Sequence, residues 1–159
     1  MKTKLLCVLF GIVLSCFLAS FDQQKPSCSL LLTNAKTNKS INICDKNSVQ
    51  KIEAVLGGAV SLDKEVPDDK EPPIFTITYD GLILEMQNDK ISNVSISNTK
   101  WKLNTVSVGI TLAQMAAKFE RSEFDYFGDP RFKVKDSNVI LFAGVDTAKK
   151  IKKLSVKVQ

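Results

Sequence analysis

Apolar and polar residues alternate over Ile74–Tyr79, Leu82–Gln87 and Ile91–Ser97, the period-two signature of strands with one buried side. Asp80-Gly81 separates the first two, and both residues tolerate the positive φ of a tight hairpin turn. Asn88-Asp89-Lys90 turns the chain into the third, so this stretch predicts an antiparallel meander. Upstream, the period changes. Val49, Ile52, Val55 and Leu56 recur at spacings of three and four, which predicts a helix with one apolar face. Ser48 is a good N-cap for it and Gly57-Gly58 a stop. Ser40–Ile43, just before, alternates as a strand. Ser61–Pro73 carries acids, lysines and three prolines and predicts an exposed loop.

The pattern then recurs. Trp101–Val108 alternates as a strand and ends at Gly109. Thr111 opens a second helix, with Leu112, Met115, Ala116 and Phe119 on one face and a Thr111/Gln114 capping box at its start. Strand-like stretches follow at Phe132–Lys135, Val139–Ala143 and Ile151–Val158. A shift of 63 places Ser48 on Thr111, Val49 on Leu112, Ile52 on Met115 and Leu56 on Phe119. The expectation is an α+β domain over 40–159, an antiparallel sheet with helices on one face. It would consist of two similar strand–helix–three-strand halves, about 40–98 and 99–159. Two amphipathic helices of similar spacing also align by chance. Residues 21–39 read as a polar tether, with Leu30–Leu32 at most a short entering strand.

The first residues bear on location. Met1–Lys4 holds two positive charges and Leu5–Leu14 is nearly all apolar. This reads as a secretory signal, too short to span a bilayer as a permanent helix. Val13-Leu14-Ser15-Cys16 resembles a bacterial lipobox, which makes 1–15 a lipoprotein signal and Cys16 the lipidated residue. The rival is ordinary cleavage after Ser20, leaving a soluble exported chain. With Cys7 and Cys16 in the signal region, Cys28 and Cys44 remain as an even set, expected to form a disulfide in an oxidising compartment. Two unpaired thiols are the alternative; a redox pair would call for a Cys-x-x-Cys spacing that the chain lacks.

Composition is that of one globular domain, 44% hydrophobic and 25% charged. The formal net charge of +5 falls by two if Lys2 and Lys4 leave with the signal. Its distribution is uneven. Asp63–Glu85 holds seven acids against two lysines, and Arg131–Gln159 eight basic residues against two acids. Such asymmetry can steer an acidic partner or lipid headgroups, or reflect lysines on the wet side of a strand. Nucleic acid is not an expected partner, because no aromatic-basic motif is present.

The chain has no histidine, which removes the commonest general base and metal ligand. No cofactor and no metal are expected: zinc or copper would call for His or several free Cys, and Asp63–Glu71 lacks a calcium-loop pattern. Carboxylates remain. Asp80, Glu85, Glu120, Glu123, Asp125 and Asp129 are the candidates for an acid–base pair, although Asp80 and Asp129 are better explained by turns. The stretch Phe119–Gly128 gathers aromatics among charges. Glu123, Phe124, Tyr126 and Phe127 are therefore the candidate partner-binding residues, an aromatic patch with a charged rim; capping the open end of the sheet is the alternative. Trp101, between the halves, reads as a core staple.

A helix followed by an antiparallel meander, given twice in an exported chain, resembles the tandem architecture of β-lactamase inhibitor proteins. Single copies resemble envelope lipoproteins of the outer-membrane assembly type (BamE or SmpA). Val55-Leu56-Gly57 and Val108-Gly109-Ile110-Thr111-Leu112 are similar to the helix boundaries of those families, but Leu56-Gly57-Gly58-Ala59 lacks their proline. The resemblance implies a fold, and fold alone does not assign function. The expectation is a non-enzymatic, exported envelope protein that binds another protein, anchored to the membrane through lipid on Cys16. One alternative is an inhibitor or immunity protein against a secreted enzyme, with Ser61–Pro73 as its plug. The other is a hydrolase working through Asp125 or Glu85.

Overall fold

In the computed structural model, residues 28–68, 70–122 and 128–158 are described. Leu82, Leu84 and Met86 are buried while Ile83 stands exposed, so the alternation of Leu82–Gln87 does divide core from surface. Strands β4 (Ile74–Tyr79), β5 (Leu82–Gln87) and β6 (Lys90–Ile96) form the antiparallel meander. Around it the chain adds β1 (Leu31–Asn34), β2 (Ser40–Asn42), β3 (Ser61–Glu65), β7 (Trp101–Leu103) and β8 (Val106–Ser107). The remaining strands are β9 (Glu120–Arg121), β10 (Arg131–Lys133), β11 (Val139–Val145) and β12 (Ile151–Val158). Among the described residues, two short helices interrupt them, α1 (Val49–Leu56) and α2 (Leu112–Ala116).

This overturns the expected α+β domain with helices on one face. Among the described residues, strand accounts for 48% and helix for 10%, with the strands in two antiparallel sheets. The eight-stranded sheet runs β3-β4-β5-β6-β12-β11-β10-β9, and the four-stranded sheet β2-β1-β7-β8. Periodicity missed the extra strands for physical reasons. All five residues of β3 are exposed, so no buried side imprints an apolar alternation on it. In β1 only Leu32 is buried, yet the strand lies between β2 and β7 in the small sheet. Leu31–Asn34 is thus part of the fold, inside the span read as a tether.

The recurring unit also differs from strand–helix–three strands. Each half is a two-stranded hairpin, a helix and a four-stranded meander: β1-β2-α1-β3-β4-β5-β6, then β7-β8-α2-β9-β10-β11-β12. The hairpins join through β1 and β7, the meanders through β6 and β12, both antiparallel. Exchanging the halves leaves both strand orders unchanged. Backbone detail follows the same exchange. Asp89 and Lys149 both sit at positive φ, 59° and 57°, in the turns before β6 and β12. The Asp89 carbonyl accepts from the Asn47 N–H at 2.7 Å, and the Lys149 carbonyl from the Leu112 N–H at 3.1 Å. Each turn therefore ties a last strand to the start of its own helix. The helix caps correspond as well: Ser48 accepts from the Lys51 N–H, and Thr111 makes its capping box with Gln114.

Both sheets and both helices contribute to one buried cluster. Leu32 and Ile41 enter it from the small sheet, Ile52 and Met115 from the helices, and Ile77, Leu84, Phe132 and Leu154 from the large sheet. Cys28 and Cys44 form a disulfide with a Cα–Cα distance of 5.8 Å, in the usual range for such a bridge. It fits an oxidising, exported compartment. Among the described residues, no helix is long and apolar enough to cross a membrane.

Candidate functional site

The end of α1 and the start of β3 meet the β4–β5 turn around an open cleft. Gly57, at φ 103°, ends the helix and donates its N–H to the Glu53 carbonyl at 2.9 Å. The chain then turns through Gly58 into Val60, whose N–H donates to the Thr78 carbonyl at 2.7 Å. Across the gap, the Asn34 side chain at the end of β1 donates to the Leu56 carbonyl at 3.1 Å. These contacts frame a cavity of about 590 Å³ lined by Leu56, Val60, Tyr79, Asp80 and Trp101 among others.

Its floor is aromatic. The rings of Tyr79 and Trp101 lie 5.3 Å apart, tilted by 57°, the geometry of a favourable aromatic pair. Trp101 donates its indole N–H to the Asp80 carbonyl at 2.9 Å and is 4% exposed, so it does lie in the core. The Asp80 carboxylate pairs with Lys100 and accepts from the Asn98 amide. The Tyr79 hydroxyl is buried and finds no hydrogen-bond partner among the described residues. Burial, with the Glu53 carboxylate as a second cause, pushes its pKa up to about 12.

The cleft continues onto an unfinished sheet edge. Among the described residues, β3 is the first strand of the large sheet and pairs only with β4. Leu62 lies opposite the buried Ile77, and Lys64 opposite Phe75, so both face the core side of the sheet. Among the described residues they are left largely open: Leu62 is 48% exposed, and Val60 and Val66 on either side are 75% and 54% exposed. Asp63 and Glu65 alternate with them and face outward, opposite Thr76 and Ile74. The reading of 61–73 as a loop missed this edge, because its prolines and acids outweighed the one available signal, apolar residues at 60, 62 and 66.

The outer side of the large sheet is shallower. Ile83, Glu85, Asn93, Ser95 and Ser155 border a depression of about 170 Å³, where the Asn93 side chain donates to the Glu85 carboxylate at 2.5 Å. Asp80 lines the inner cleft, so the structure does not bring it together with Glu85. Glu120 lies exposed on β9. The predicted partner-binding residues Glu123, Phe124, Tyr126 and Phe127 lie outside the described residues, as do Asp125 and the lipidation candidate Cys16. Among the described residues, no three Cys, Asp or Glu side chains form a group that could hold a metal ion.

No protein-family model, curated protein or solved structure matches this chain.

Proposed function

We propose that this is an exported, non-enzymatic binding protein of the cell envelope that captures an extended segment of another protein. The segment adds as a further strand beside β3. Main-chain hydrogen bonds supply affinity, and alternate side chains reach the cleft over Tyr79 and Trp101. The observation that carries this reading is the free edge itself, with Val60, Leu62 and Val66 exposed beside an aromatic-floored cavity. Native edges are usually blunted or covered, and an apolar stripe left open along one marks an interaction site. Lipid on Cys16 would hold the protein at the membrane, and cleavage after Ser20 would release it. An inhibitor of a secreted enzyme would use the same edge, with β3 inserted against the enzyme as the plug.

The test is a panning experiment with displayed peptides against the full chain, followed by hydrogen exchange. Binders that protect the amides of 61–65, and that lose affinity in Leu62→Pro while the fold is retained, support the reading. Binders that instead protect the outer sheet side around Glu85 and Ser95 would overturn it.

A further inference from the structure

The occupant of the β3 edge can be narrowed by charge, on the strength of the strand-addition reading above. In an antiparallel pair, directly opposed residues share a side of the sheet and interact, with opposite charges favourable and like charges unfavourable. β3 presents Asp63 and Glu65 on its outer side and Leu62 and Lys64 on its core side, with the exposed Val60 just before it. Asp68 and Glu71 follow in the chain. A second copy of this protein fits poorly. The self-pairing that overlaps all five residues sets Asp63 against Asp63, and centring on Lys64 sets Asp63 against Glu65. Apart from Lys64 on β3 itself, the basic side chains of the large sheet are Lys90 on β6, Arg121 on β9, Arg131 and Lys133 on β10, and Lys152, Lys153 and Lys157 on β12, all on strands that are not neighbours of β3 in the sheet order. Among the described residues, no neighbouring strand of the sheet sets a basic side chain against Asp63 or Glu65.

We infer that the β3 edge takes an extended cationic segment of another exported protein. It would have basic residues opposite Asp63 and Glu65, and apolar residues opposite Leu62 and Val60. Antiparallel addition is favoured, since every neighbouring strand pair in both sheets is antiparallel. Read from the residue opposite Glu65 toward the residue opposite Val60, the matching pattern is basic, acidic, basic, apolar, any, apolar. The acidic position answers Lys64.

Two synthetic peptides test this on the full chain: Lys-Glu-Lys-Val-Thr-Val and its charge-inverted form Glu-Lys-Glu-Val-Thr-Val, each with blocked ends and a neutral Thr-Val extension. Titration is followed by hydrogen exchange at 61–65 at low and high salt. The cationic peptide should bind about tenfold more tightly, from three favourable cross-strand pairs against three unfavourable ones in the inverted peptide. The preference should shrink as salt rises, and vanish in the triple variant Asp63→Asn/Lys64→Gln/Glu65→Gln. Equal affinities with protection of β3 would overturn the charge assignment and leave strand addition standing. Absence of β3 protection with either peptide, when panned binders also leave 61–65 exchanging freely, would overturn both.

Discussion

Ser95 stands directly opposite Ser155 across the seam that joins β6 to β12. The two serines are 60 positions apart, and the same interval carries Ile91 onto Ile151, Val94 onto Leu154 and Ile96 onto Val156, all six buried. A pair opposite each other and equivalent by the repeat interval lies on the two-fold of the topology. The eight-stranded sheet is therefore two meanders joined at that pair, and its outer edge strands, β3 and β9, are counterparts. The edge proposed to bind is longer than its counterpart, five residues against two.

The seam is expected to govern stability. Ile96 lies opposite Leu154, and neither is accessible to solvent. Ile96→Ala and Leu154→Ala should each cost about 2–5 kcal/mol through lost transfer energy and the cavity left behind. Because the two side chains oppose each other, the double variant should lose less than the sum, by about 0.5 kcal/mol or more. Urea unfolding of the four species measures this. Strict additivity would mean that the two halves unfold without reference to their shared seam.

Gly81 is expected to be irreplaceable in the β4–β5 turn. It sits at φ 76°, and a Cβ there would meet the Asn98 side-chain nitrogen at 2.0 Å. That amide donates to the Asp80 carbonyl at 3.2 Å, the same carbonyl that receives the Trp101 indole. Gly81→Ala should therefore strain the backbone and displace Asn98 together, lowering stability by about 1–3 kcal/mol. The loss should appear as a lower urea midpoint at unchanged slope. Gly58→Ala, where added atoms meet nothing within 4 Å and φ is not positive, is the control.

These positions mark how far the sequence could be read. Leu82, Leu84 and Met86 announced their strand because one side of it is buried and the other is wet. Ser48 and Thr111 announced their helices because a cap is a local contact, complete within four residues. Asp80-Gly81 announced its turn for the same reason. Pairing is not local. The alternation of Ile151–Val158 says which residues face inward, but nothing in it selects β6 as a neighbour. Edge strands are silent for the opposite cause: Ser61–Glu65 buries nothing, so no pattern is imposed on it. The cleft was illegible on both counts, since Asn34, Leu56, Tyr79 and Trp101 come from four elements that only the finished topology brings together.

Reduction of the Cys28–Cys44 bridge should destabilise the chain by roughly 3 kcal/mol in the chain-entropy account, for cysteines 16 positions apart. The bridge closes the hairpin from outside. Leu31 pairs with Asn42, and the Ile43 N–H donates to the Leu30 carbonyl at 3.0 Å, so the loss should fall first on the small sheet. A drop of about 6–12 °C in thermal midpoint is expected on adding a phosphine reductant. Cys28→Ser/Cys44→Ser should show the same midpoint with and without reductant. An unchanged midpoint in the reduced wild-type chain would mean that the hairpin is held by β1·β7 pairing alone.

Tyr79 should make stability fall in alkali. Its hydroxyl is buried without a partner among the described residues, and burial, then the Glu53 carboxylate, pushes the pKa up to about 12, against about 10 in an unfolded chain. With the folded value raised, the contribution is fully present below pH 10. It is lost as pH rises from there through about 12, because the unfolded state releases its proton first. The loss is on the order of 2 kcal/mol. The comparison is with Tyr79→Phe. That variant keeps the ring against Trp101 and removes only the hydroxyl, and near neutral pH it should match the parent or exceed it by up to about 1 kcal/mol. Urea midpoints collected from pH 8 to pH 11.5 should therefore diverge above pH 10, the parent falling away from the variant. Curves that stay parallel would show that the phenol ionises as readily in the folded chain as in the unfolded one, and that the aromatic floor of the cleft is open to water.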